Sequence, residues 1–110
     1  MKLAHTSDAL RICAFIEGFA PAYGAHVALT GGCLYKERVG RKDIDILFYT
    51  IRQRDAIDIE GLLGHMGELG FEIGLQYGWV RKARFNGFSL DLFFPEAYPA
   101  TSKEGTPGEY

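Results

Sequence analysis

Residues 43–50, Asp-Ile-Asp-Ile-Leu-Phe-Tyr-Thr, constrain this chain more than any other segment. Ile46-Leu47-Phe48-Tyr49 is too apolar for an exposed sheet edge, so the segment must be a strand with neighbours on both sides. Side chains alternate between faces along a strand: Asp43 and Asp45 share one face, while Ile44 and Ile46 enter the opposite layer. The fold must therefore supply a sheet, an apolar layer on one side of it, and a means of tolerating two neighbouring carboxylates on the other.

With 110 residues the chain has enough material for one core and too little for two. A content of 47% hydrophobic and 24% charged residues excludes disorder as the default state. The net charge of −2 argues against gripping nucleic acid through bulk positive charge and leaves only a local basic strip for that purpose. Cys13 and Cys33, in a sequence without a secretory leader pattern, predict reduced thiols and a cytoplasmic setting. The apolar runs fall far short of the roughly 20 residues a bilayer helix requires, so no membrane span is expected.

The remaining pattern alternates helix and strand. Thr6 or Ser7 can cap an opening helix with Leu10, Cys13, Ile16 and Phe19 on one side, ending near Pro21 and Gly24. His26-Val27-Ala28-Leu29-Thr30 reads as a short buried strand stopped by Gly31-Gly32, with a helical turn over residues 33–38. A second helical pattern covers residues 54–69, with Ile59, Leu62, Leu63, Met66 and Leu69 on one side. Gly61, Gly64 and Gly67 recur in it at three-residue steps, each costing about 1 kcal/mol against alanine; close packing along that stripe is the favoured explanation, a poorly formed helix the other. Residues 71–80 and 81–94 read as strands, the second segment folding back at Asn86-Gly87. An α+β fold follows, a small mixed sheet with helices packed on it, over residues 1–94. Residues 95–110 hold three of the four prolines and form a separate tail.

The chemistry suggested by the polar residues begins with Asp43 and Asp45. Like charges held this close call for a cation, and magnesium suits carboxylate, water and phosphate oxygens; two such ions about 4 Å apart can clamp a phosphoryl displacement. Gly31-Gly32, ending one strand and opening a short helix, would let backbone N–H groups approach phosphate oxygens. Asp91 lies in Phe88-Ser89-Leu90-Asp91-Leu92-Phe93, where alternation puts it with Ser89 and Phe93, opposite Leu90 and Leu92. Arg41 and Lys42 either meet a triphosphate or balance Asp43. Arg81, Lys82 and Arg84, interleaved with Trp79 and Phe85, read as the solvated side of a hairpin in preference to a strip steering an acceptor. His26 and His65 have no partners at metal-ligand spacing and are expected to be structural, with Cys13 on the core face of the first helix.

Leu29-Thr30-Gly31-Gly32 followed, ten positions on, by Lys42-Asp43-Ile44-Asp45-Ile46-Leu47 resembles the core motif of the nucleotidyltransferase-fold superfamily, the DNA polymerase beta-like group. Within that group it is similar to the CCA-adding enzymes and the small antibiotic nucleotidyltransferases. The resemblance covers residues 27–47 and extends to Asp91 by strand context. It implies a nucleotidyltransferase-like sheet, with nucleoside triphosphate held by Thr30, Gly31, Gly32, Cys33 and Lys42. Asp43, Asp45 and Asp91 would be the catalytic, metal-binding carboxylates, using Mg, with Mn as substitute. It also implies transfer of a nucleoside monophosphate, ATP being one donor, to a hydroxyl on RNA, protein or a small molecule. Cys33 departs from the pattern, standing where many members carry serine, and a thiol is the weaker hydrogen-bond donor. The larger members recognise base and acceptor in a helical domain after the core, so here that half would come from the tail, a homodimer or a helical protein partner. The alternative is a non-catalytic, antitoxin-like module that keeps the fold to bind a nucleotide or a partner.

Overall fold

The computed structural model describes residues 3–30, 43–51 and 56–95. Five strands form one sheet: β1 (His26–Thr30), β2 (Asp43–Tyr49), β3 (Glu72–Tyr77), β4 (Val80–Phe85) and β5 (Phe88–Phe93). Their order across the sheet is β1-β2-β5-β4-β3. The apolar strand β2 has a neighbour on each side, as its composition requires: β1 runs antiparallel to it and β5 parallel. Strands β5, β4 and β3 continue antiparallel. Parallel neighbours need a long return path, and the chain supplies one through a helix and two further strands before β5 takes its place beside β2.

Helices α1 (Thr6–Glu17) and α2 (Ile59–Glu68) contribute to a core on one side of the sheet. Ile44, Ile46 and Phe48 of β2 and Leu90 and Leu92 of β5 are fully buried, in one cluster with Ala9, Ile12, Cys13 and Ile16 of α1 and Leu62 and Met66 of α2. Each large side chain withdrawn from water in this way stabilises the fold by about 1.5–3 kcal/mol. The buried rings of Phe48 and Phe94 stack with centroids 4.5 Å apart.

The buried face of α1 differs from the one expected. Ala9, Ile12, Cys13 and Ile16 follow the i, i+3, i+4, i+7 pattern of a 3.6-residue turn. Strict three-residue steps drift off that face, which leaves Leu10 53% exposed. The cap also sits earlier: His5 is the N-cap, and its N–H donates to the Asp8 carboxylate at 3.1 Å, so neither Thr6 nor Ser7 is needed there. Phe19 lies beyond α1, just before a short 3₁₀ turn at Ala20–Tyr23, half-buried against the core.

Helix α2 begins at Ile59, later than expected, because Asp58 caps it by accepting the Gly61 N–H at 3.1 Å. Close packing does not explain its glycine stripe. A Cβ on Gly64 or Gly67 would meet nothing within 4 Å, and only at Gly61 would one collide, with the Asp58 carboxylate at 2.3 Å and Tyr23 at 3.0 Å.

The β4–β5 turn is the one expected: Asn86 and Gly87 both take positive φ, 53° and 84°, as a two-residue hairpin requires. A second turn at Gly78 and Trp79, with Gly78 at φ 62°, divides the strand expected over 71–80, so that Val80 opens β4. The helical turn expected at 33–38 and the tail beyond Pro95 lie outside the described residues. No helix among the described residues is long and apolar enough to cross a membrane.

Candidate functional site

The helices pack on the face of β2 and β5 that carries Ile44, Ile46, Leu90 and Leu92, and the acidic residues occupy the other. In the parallel pairing Asp43 stands opposite Ser89 and Asp45 opposite Asp91. Neighbouring strands lie about 4.8 Å apart, so Asp45 and Asp91 are side-by-side carboxylates on one face, with Asp43 one pleat away. Thr30, the last residue of β1, is paired across the other edge of β2 with Asp45. Four of the sequence-derived candidates, Thr30, Asp43, Asp45 and Asp91, are thus brought to one end of one face by strands distant in sequence. Gly31, Gly32, Cys33 and Lys42 lie outside the described residues.

The acidic face holds a basic residue that sequence reading had assigned to solvent. Lys82 of β4 is registered opposite Asp91, and its Nζ donates to Asp91 Oδ1 in a close ion pair. The Lys82 side chain is 39% exposed and that of Asp91 18%. The hydrogen bond to Asp91 is the main cause that raises the Lys82 pKa; burial opposes it, and the charges of Asp91, Asp43 and Asp45 add to the rise. One ammonium therefore stands in the field of all three carboxylates. Arg81 sits on the opposite parity, paired with Leu92, and reaches Gln76 Oε1 at 3.4 Å, so the apparent basic run is split between two faces.

The donor set, three carboxylates with a hydroxyl at Thr30, has the hard-oxygen chemistry that magnesium prefers. Among the described residues no three of His, Cys, Asp and Glu are gathered closely enough to hold a metal ion, so the aspartates share a face without forming a closed cage. Beside Lys82 a hollow of about 290 Å³ is lined by Glu72, Gly74, Lys82, Arg84 and Ser89. A larger hollow, about 740 Å³, lies on the helix side between α1 and the β4–β5 turn, lined by Ile12, Phe15, Phe85 and Phe88. Its carboxylate, Asp8, is already engaged by Arg11 at 3.0 Å and by the His5 N–H, so the acidic face remains the place where polar groups converge.

His26 and His65 make structural contacts, as expected. His65 Nδ1 and the Tyr23 hydroxyl are hydrogen-bonded at 2.7 Å, with the imidazole stacked on Phe19 at 4.9 Å. His26 Nδ1 lies 2.8 Å from Glu17 Oε2, while the other oxygen of Glu17 accepts the Val27 N–H at 2.9 Å. The last residue of α1 is thereby tied to the edge strand β1.

No family model and no curated protein matches the sequence. Among solved structures, the chain is similar to a cytoplasmic RNA terminal U-transferase, with a TM-score of 0.65 over 84% of this chain at 13% identity. The chain spans 30% of that structure's length. At this identity the likeness establishes the fold: the mixed five-stranded sheet with two helices is nucleotidyltransferase-like.

Proposed function

We propose that this chain is a minimal nucleotidyltransferase domain, carried by residues 1–94, that uses Mg, or Mn in its place, to transfer a nucleoside monophosphate from a nucleoside triphosphate to a hydroxyl acceptor. One observation supports this above the rest: Asp45 and Asp91 are registered side by side, with Asp43 on the same face, in a sheet of nucleotidyltransferase-like fold. The solved structure of similar fold makes an RNA terminus the first acceptor to test, ahead of protein and small molecules, and a cytoplasmic setting belongs to the same proposal.

Asp43, Asp45 and Asp91 would hold the metal, which supplies positive charge to the phosphates when bound. In the transfer, the acceptor oxygen bonds to the α-phosphorus, the bond from that phosphorus to the bridging oxygen breaks, and pyrophosphate leaves. Asp91 faces the acceptor hydroxyl, as a metal ligand or as the base that takes its proton. Thr30 stands level with Asp45 at the point where the chain leaves β1, and the glycines that follow it would cradle the triphosphate. The β2–β5 pair fixes the carboxylates on rigid backbone, and such positioning supplies most of the catalysis in phosphoryl transfer.

The ion pair between Lys82 and Asp91, with no closed metal cage among the described residues, favours a second reading: a module that keeps the fold to bind nucleotide or a helical partner without turnover. Labelled ATP, GTP, CTP and UTP with Mg or Mn and RNA, protein or small-molecule acceptors separate the two. The enzyme predicts pyrophosphate release that drops at least about a hundredfold in Asp43→Ala, the scale expected when a principal electrostatic stabiliser is removed. Release that survives the substitution counts against Asp43 as a catalytic carboxylate, and none with any acceptor while the nucleotide still binds decides for the module.

A further inference from the structure

Lys82 has no part in the transfer as described, yet it is held against it. It faces Asp91 across the β4–β5 ladder and shares the face of Asp43 and Asp45. Its partner Asp91 is the more buried of the two, and a lysine is a long, flexible arm carrying a point charge. The hollow of about 290 Å³ gives that arm somewhere else to go. Gly74, which lines it, has no side chain to crowd the Lys82 stem: even a Cβ there would come no nearer than 3.4 Å. Glu72 lines the same hollow from β3, registered opposite Arg84 and hence diagonal to Lys82, within reach of long side chains.

We propose that Lys82 is a built-in counter-cation of the acidic face, a positioning residue that holds Asp91 by ion pair when no metal is bound and swings toward Glu72 when a divalent cation takes the carboxylate. This rests on the reading of Asp43, Asp45 and Asp91 as metal ligands. Two cations drawn to one carboxylate compete, and by linkage each weakens the other's hold. Lys82 thus balances the charge of Asp91 on the metal-free face, at the cost of weaker metal affinity.

The test is direct titration of Mn(II), followed by the paramagnetic signal of the free ion, together with melting temperatures in chelator. Proteins compared are the wild type, Lys82→Met, Lys82→Arg, Glu72→Gln and the double variant Asp43→Ala/Asp45→Ala. Lys82→Met is expected to bind Mn(II) roughly two- to fivefold more tightly, the range for releasing a partly exposed ion pair, and to melt at lower temperature in chelator. Lys82→Arg should return both values toward wild type, and Glu72→Gln should weaken Mn(II) binding by removing the second resting place. Unchanged or weaker binding in Lys82→Met, with binding still abolished in the double aspartate variant, overturns the role of Lys82 and leaves the metal site standing. Binding that persists in the double variant, or is absent from both wild type and Lys82→Met, overturns the metal site and this inference with it. Should Lys82→Met fail to fold, Lys82→Gln carries the same expectations.

Discussion

Glu17 illustrates how a single side chain links two elements and makes their union depend on pH. Burial raises its pKa, but the Val27 N–H, the hydrogen bond to His26 and the His26 charge together outweigh that effect and hold it below the ordinary 4.5. A carboxyl more acidic in the folded than in the unfolded chain stabilises the fold above its unfolded pKa, and that contribution disappears as pH falls through the folded value. The wild type should therefore lose melting temperature more steeply than Glu17→Gln below about pH 4.5, with a modest difference because the side chain is 41% exposed. Parallel melting curves for the two proteins across that range would refute the assignment. At this scale Lys82 was legible too. A two-residue Asn86-Gly87 hairpin pairs 85 with 88, 84 with 89, 83 with 90 and 82 with 91, so the register alone sets Lys82 against Asp91. Reading Arg81, Lys82 and Arg84 as one charged run concealed what counting outward from the turn reveals.

Among the elements, α2 departs furthest from expectation. Its apolar side was readable, Leu62 and Met66 being fully buried, and its cap at Asp58 follows a familiar rule. Its glycines were not interpretable from spacing, because a three-residue repeat records where small residues fall along a helix and says nothing of what stands opposite. Gly64 and Gly67 face open space. Gly64→Ala and Gly67→Ala should each stabilise the protein by about 0.5–1 kcal/mol through the lower chain entropy of the unfolded state, while Gly61→Ala should destabilise it by pressing on the Asp58 cap. Urea midpoints of the three variants decide this, and a loss of stability at both Gly64 and Gly67 would restore close packing as their explanation. The opening helix carries a related lesson: Leu10 follows a three-residue step and emerges exposed, because the helix turns every 3.6 residues.

For the whole molecule, the pairing of β2 with β5 holds core and candidate site in one structure. Ile46 and Leu92 are paired across it and fully buried on the helix side, while Asp45 and Asp91, one residue back on each strand, face the other way. Any change that shifts this register by one residue would exchange acid for apolar on both faces. Ile46→Ala should cost about 2–5 kcal/mol and unfold the domain in a single cooperative transition, read as a lower urea midpoint with unchanged slope by both fluorescence and circular dichroism. Separate transitions from the two probes would mean that the sheet and its helices are not one cooperative unit.

The sequence by itself determined the α+β class, the flanked position of β2, the face shared by Asp43 and Asp45, and the Asn86-Gly87 turn. Each follows from local alternation, apolar content or turn chemistry, which act over a few residues. Only the tertiary structure decided that β5 would lie parallel beside β2, bringing Asp91, and with it the Lys82 that the hairpin already sets against it, to Asp45. Those contacts join residues 43–45 to residues 82–91, and a pairing across that separation is chosen by how the whole sheet and its helices bury their apolar faces together.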